Sequence, residues 1–96
     1  MKVKWAHKAK IDYVDTLSYW KDRNGSTLYP QKIDTAVLKL EKEIAANPYF
    51  LAKYNNNLNL YRRSLMRGKY YLYYHIDEYN GVITIARFRS AHQIPL

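Results

Sequence analysis

Between Leu58 and Ile76 the chain reads LNLYRRSLMRGKYYLYYHI, two basic, aromatic, β-prone runs that meet at Gly68. Arg62, Arg63, Arg67 and Lys69 alternate there with Tyr61, Tyr70, Tyr71, Tyr73 and Tyr74. Cations hold anionic oxygens and flat rings stack on bases, so a hairpin of this composition suits a polyanion. It equally suits an ordinary sheet whose solvent face is basic. Tyrosine also has strand propensity and fills small cores, so about half of the eleven tyrosines are expected to be packing, Tyr70 and Tyr74 first. Tyr71 and Tyr73 are the surface candidates.

Charge sharpens this picture. The 96 residues carry a formal charge of +8. Residues 1–49 hold nine Lys or Arg against six acids, whereas residues 50–96 hold seven against two, and five of those seven are arginine. Arginine's planar fork matches phosphate and carboxylate, so its enrichment in the second half points to recognition of an acidic partner there.

Several classes drop out. With no cysteine, the fold depends on neither disulfides nor thiolate metal sites. His7, His75 and His92 are too scattered for a metal site, and no cofactor is expected. Gly25, Gly68 and Gly81 are isolated, which excludes a phosphate-cradling loop. No serine has a nucleophile-elbow context. Lys2, Lys4, Lys8 and Lys10 interrupt any signal-like apolar run, and nothing approaches a membrane span. A soluble, cytoplasmic chain of one domain, residues 1–96, is expected.

The elements that must position these residues follow from periodicity. Val3-Lys4-Trp5-Ala6 alternates and predicts a first strand. Tyr13, Val14, Leu17 and Trp20 fall on one face of a helix over about 8–24, with Asp12 and Asp15 early, Lys21 and Arg23 late, and Asn24-Gly25-Ser26 as its stop. A second helix starts near Pro30, carries Ile33, Ala36, Val37, Leu40 and Ile44 as its apolar stripe, and ends at Asn47-Pro48. Residues 49–57 are expected to be loop. Strands are expected over 58–66, 69–76 and 82–88, with Arg67-Gly68 turning between the first two and Asp77–Gly81 between the last two. The expected fold is α+β, in the order β-α-α-β-β-β. A helical hairpin packs on one face of a small, mainly antiparallel four-stranded sheet.

Strand phase assigns the faces. Tyr70, Leu72, Tyr74 and Ile76 form the side that meets the helices, joined by Ile83 and Ile85, while Thr84, Ala86 and Phe88 face away. Arg63 falls on the helix side, where a buried cation is costly, so it is expected at the rim or paired with an acid. Glu41, Glu43 and an acidic partner protein are equal candidates to pair with Arg62, Arg63 and Arg67 alike. A bulge would reverse this local phase.

The ordered set resembles the RelE/ParE superfamily of bacterial type II toxins over nearly the whole chain. It comprises Val3–Ala6, the hairpin closing at Asn47-Pro48, Tyr61-Arg62-Arg63-Ser64-Leu65, Gly68–Tyr74, Ile83-Thr84-Ile85, and the tail from Arg87 to Pro95. The resemblance implies a toxin encoded beside an acidic antitoxin that wraps and neutralises it. RelE-like members cut messenger RNA inside the ribosome with basic and aromatic side chains of the open sheet face. ParE-like members share the fold and poison DNA gyrase. Carried over by position, one nuclease cation falls on Arg62, a second falls on Ser64, and the arginine of the family's Tyr-Arg pair is Tyr71 here. The late-strand arginine is Arg87 or Arg89, depending on register, and the terminal acid/base is His92. The tail texture is closer to ParE-like chains.

Three readings follow. RNA cleavage through the 2′-hydroxyl needs a general base, a general acid and phosphate-binding cations. That reading makes Arg62, Arg87, Arg89 and His92 catalytic and Tyr71 or Tyr73 a stacking surface. His92 is the tail group that titrates near neutral pH, though an exposed tail histidine needs no role. The preferred reading is a gyrase poison that acts by protein binding, because Ser64 and Tyr71 stand where a nuclease wants cations. Arg63, Arg67, Lys69, Tyr71 and Tyr73 then serve partner or nucleic-acid binding. The third reading is a non-toxic relative that only binds a partner.

Overall fold

The computed structural model describes residues 1–94 and residue 96. Pro95, part of the tail resemblance, lies outside the described residues. Strand β1 (Lys2–Trp5) leads into helices α1 (His7–Asn24) and α2 (Leu28–Ala46). Strands β2 (Lys53–Asn55), β3 (Leu60–Leu65), β4 (Tyr70–Asp77) and β5 (Val82–Ser90) follow. The sheet order is β1-β5-β4-β3-β2, with β1 parallel to β5 and every other pair antiparallel. Both helices pack against this sheet, giving the expected α+β fold with five strands instead of four.

The additional strand is β2. Its three residues, Lys-Tyr-Asn, are all exposed, so no apolar alternation marks it in a segment expected to be loop. Pairing with β3 creates it: Lys53 stands opposite Arg62 and Tyr54 opposite Tyr61.

Helix α2 carries most of the helical contribution to the core. Ile33, Val37, Leu40 and Ile44 are buried at helical spacing, each worth about 1.5–3 kcal/mol when fully removed from water. Pro30 sits in its first turn, where a missing N–H breaks no helical bond. Helix α1 ends at Gly25, whose φ of 61° is readily available only without a Cβ and whose N–H bonds the Lys21 carbonyl. Lys21 and Arg23 occupy its last turn as expected, but its first turn holds no acid, because the helix begins earlier than Asp12 requires. Val14 is 57% exposed, so the packed face of α1 runs through Ala9, Tyr13, Leu17 and Trp20.

One irregularity reorganises β5. Tyr73 pairs with Arg87, yet Tyr74 pairs with Ile85, which leaves Ala86 as a bulge. An extra residue reverses the alternation beyond it. Phe88, expected to face away, therefore turns into the core: it is 1% exposed, stacks on Tyr70 with ring centroids 5.4 Å apart, and meets Tyr13 edge-on at 5.3 Å. Tyr70, Leu72 and Tyr74 are buried on the helix side, as the phase of β4 predicts, and Ile83 and Ile85 join them.

The β3–β4 turn is tight and left-handed. Met66, Arg67 and Gly68 have φ of 52°, 56° and 80°, and Lys69 N–H bonds the Met66 carbonyl at 3.2 Å. For glycine this costs little, whereas Met66 and Arg67 each carry about 1 kcal/mol of strain. That turn holds Arg67 and Lys69 at an exposed tip.

Candidate partner-binding face

The face turned away from the helices is built by register. Residues opposite one another in adjacent strands share a face, which puts Lys53, Arg62, Tyr73 and Arg87 in one row. Ser64, Tyr71 and Arg89 form the next row. The Arg62 guanidinium carbon lies 4.4 Å from the centroid of the Tyr71 ring, a cation–π contact that fixes both side chains. The Tyr71 and Tyr73 rings are 6.4 Å apart.

Tyr73 does not behave as a surface ring. It is 7% exposed, because Arg62 flanks it and the tail returns across this face. Ala91 N–H bonds the Lys69 carbonyl at 2.9 Å, and the Gln93 side chain accepts from Ser90 N–H at 2.8 Å. Arg89 donates to the Ile94 carbonyl. A cleft of 160 Å³ between tail and sheet is lined by Arg62, Tyr71, Tyr73 and Arg89 on one side and Gln93 and Ile94 on the other.

Arg87 is also withdrawn from the face. Its Nε donates to Asp12 Oδ2 at 2.7 Å and its Nη2 to Oδ1 at 3.2 Å, while Phe88 N–H reaches the same Oδ2 at 3.1 Å. Beyond Trp5, β1 no longer covers the edge of β5, and the carboxylate of α1 takes over as partner for its backbone. Hydrogen bonding to Asp12 holds the Arg87 guanidinium above its ordinary pKa. A fork–fork pair with both side chains about four-fifths buried neutralises this cation.

Arg63 is placed on the helix side, as its phase predicts, and is paired with Glu43 at 3.7 Å. At 7% exposure it offers no surface to a partner, which corrects its candidacy as a binding residue. Its Nη1 is buried and makes no hydrogen bond among the described residues. Nearby, Tyr74 donates from its hydroxyl to the Pro48 carbonyl at 2.7 Å, and burial pushes its pKa up to about 12.

His92 stands apart from Arg62. It lines a 520 Å³ cavity on the α1 side with Asp12, Asp15, Tyr19, Trp20 and Tyr70, whereas Arg62 lines the clefts of the open face. His75 is exposed on β4 opposite Thr84, and His7 is exposed at the start of α1. Among the described residues no group of three or more His, Cys, Asp or Glu side chains could hold a metal.

The structure brings one residue to this face that the sequence reading left out. Lys53 lies directly across from Arg62, and both line a pocket with Ser64, Gly68 and Tyr71. A sequence signal exists for it in hindsight: residues 44–76 contain no Asp or Glu, so no cation of that segment has an acid within it.

A helical hairpin packs behind a basic sheet, and the tail folds over its open face. Residues 3–95 match the family described as the ParE toxin of type II toxin-antitoxin system, parDE, and the chain belongs to that family. Membership implies an antitoxin partner. No curated protein matches the chain. No helix among the described residues is long and apolar enough to cross a membrane.

Proposed function

We propose that this toxin acts by binding and poisoning DNA gyrase rather than by cutting RNA. The observation that carries the proposal is the dispersal of the nuclease set. Arg87 is bound at both ends of its fork by Asp12, and Arg89 is engaged by a tail carbonyl. His92 lines a different cavity from Arg62. General acid–base cleavage needs its groups within hydrogen-bond reach of one phosphodiester. Ser64 and Tyr71 supply no cation at the two further positions, and of the set only Arg62 and Arg89 line the open-face cleft, neither in an ion pair among the described residues.

On this reading the cognate antitoxin is acidic and neutralises the toxin, and both operate in the cytoplasm with gyrase. Arg67, Lys69 and Tyr71 contribute to the surface that meets a partner. Purified toxin is expected to inhibit supercoiling by gyrase, and induction without the antitoxin to cause DNA damage and filamentation. Unaltered supercoiling at excess toxin would overturn the gyrase target.

The retained Arg62–Tyr71 contact favours a second reading, ribosome-dependent RNA cleavage with Arg62, Arg87, Arg89 and His92. Primer extension decides it: cuts within translated codons would establish the nuclease, and intact messages with normal translation would exclude it. Harmless induction, with both assays negative, would identify a chain that only binds its partner.

A further inference from the structure

We propose that the cavity between α1 and the end of β5 is a binding site for a small organic cation, an amidinium, guanidinium or amine carried on an apolar body. The inference goes beyond gyrase binding and does not depend on it. The site selects the opposite charge from the open face.

Three observations carry it. First, the cavity has the dimensions of a small-molecule site. It holds 520 Å³, within the range of about 300–1,000 Å³ that such sites span. One wall is a face of α1, on which Asp12, Asp15, Thr16, Tyr19 and Trp20 recur at helical spacing. The other wall includes Phe88, which the bulge at Ala86 turns inward. A space of this size exceeds what one basic side chain fills, which favours a free small molecule over a residue of a docked protein.

Second, the lining is charged against the trend of the chain. The whole sequence carries 16 Lys and Arg against 8 Asp and Glu. Of the ten residues that line the cavity, two are acids and none is Lys or Arg. Asp12 is already held by the Arg87 fork and the Phe88 amide. Asp15 is exposed, and the two ion pairs among the described residues use Glu43 and Asp12, which leaves Asp15 without a cation. A carboxylate so placed matches a planar N–H fork or an ammonium and repels an anion.

Third, the rest of the lining is an aromatic wall already fixed in position. Trp20 meets Tyr19 edge-on at 5.1 Å and Tyr29 edge-on at 4.9 Å. Tyr70 stacks on Phe88, and its hydroxyl shares a hydrogen bond of 3.3 Å with that of Tyr29. Rings held in this way lose little freedom when a ligand arrives. Tryptophan is the ring that cations prefer, and an apolar body gains from the same surface. The Tyr19 ring already attracts one cation, since the Arg23 guanidinium carbon lies 6.0 Å from its centroid, although Arg23 does not line the cavity.

The test uses three probes of one shape, benzamidine, benzamide and benzoate, which are cationic, neutral and anionic. Each is titrated into the isotope-labelled full chain and followed by two-dimensional NMR. The Trp20 indole N–H and the amides of Thr16 and Gln93 report the cavity, and the Trp5 indole, bonded to Glu41, serves as the internal reference. Benzamidine is expected to shift the cavity signals saturably, benzamide to bind about tenfold more weakly, and benzoate not to bind. Asp15→Asn should weaken benzamidine about tenfold. Asp22→Asn removes the same charge from the same helix outside the cavity and is expected to leave binding unchanged; thermal melts verify that both variants are folded. Equal weakening by Asp22→Asn would reduce the effect to net charge and overturn the site, as would the absence of saturable shifts. Equal binding of benzamide would overturn the selection for a cation. Tighter binding of the blocked tripeptide Gly-Arg-Gly than of benzamidine would identify a protein side chain as the occupant and overturn the small molecule. None of these measurements involves gyrase, so the failure of either proposal leaves the other standing.

Discussion

Two arginines adjacent in β3 divide the molecule. Arg63 points to the helix side, 7% exposed and paired with Glu43, while Arg62 points to the open side, rests on Tyr71 and is in no ion pair among the described residues. On the helix side, polar groups are few and mostly satisfied inside an aromatic and aliphatic core. On the open side, Lys53 and Arg62 take part in no ion pair among the described residues. A packed face tolerates a charge only where a counter-charge is provided, because desolvation otherwise outweighs any gain. An exposed face tolerates unpaired charge at little cost, so its cations are available to a ligand. The difference separates residues that maintain the fold from residues that can recognise something.

Substitutions can break that comparison, beginning where the effect should be largest. Phe88→Ala empties the space between Tyr70 and Tyr13 and is expected to destabilise the fold by about 3–5 kcal/mol in urea titrations. A cost near zero would mean that Phe88 does not turn inward after the bulge. Asp12→Ala removes the partner of both the Arg87 fork and the Phe88 amide, and should cost about 2–3 kcal/mol. Arg62→Ala is expected to cost no more than about 1 kcal/mol, the worth of its cation–π contact with Tyr71. If Asp12→Ala and Arg62→Ala proved equally costly, the division between the faces would fail.

Tyrosine ionisation offers a finer probe. Burial holds the Tyr74 hydroxyl at about 12, whereas an unfolded tyrosine ionises at its ordinary value of 10.0. A raised pKa means that the folded state retains the proton longer than the unfolded chain does. The stability that Tyr74 contributes is therefore complete below about pH 10 and is lost as pH rises towards 12. Melting temperatures are expected to fall across that window, and Tyr74→Phe should make the fall shallower. At neutral pH the same substitution should cost only about 1 kcal/mol, the worth of the bond to the Pro48 carbonyl. Tyr71→Phe, on the open face, should leave the melting temperature unchanged.

Much of the scaffold was legible in the residue order. The stripe Ile33–Val37–Leu40–Ile44 repeats often enough to define α2 without any partner, and Gly25 and Asn47-Pro48 stop the helices through local backbone sterics. Tyr70, Leu72 and Tyr74 alternate cleanly, so β4 fixed its own inward face. The short β2 was not legible, since three exposed polar and aromatic residues carry no periodicity until β3 lies beside them. For the same reason Lys53 was absent from the expected site. Tyr73 looked like a surface ring because alternation reports which side of the sheet a residue occupies, and says nothing of the tail that folds over that side.

What the sequence determined by itself is the class of fold, the inward face of α2 and β4, and the concentration of arginine in the second half of the chain. All three rest on spacing or on counts within a short window. The tertiary structure alone decided how the four candidate catalytic residues are distributed. Ala86 can be accommodated as a bulge only against β4, and that one extra residue exchanges the faces of Phe88 and its neighbours. Asp12, 75 positions before Arg87, then closes on the guanidinium at an edge that exists only because β1 is short. Both depend on contacts between distant segments, which no local pattern of residues encodes.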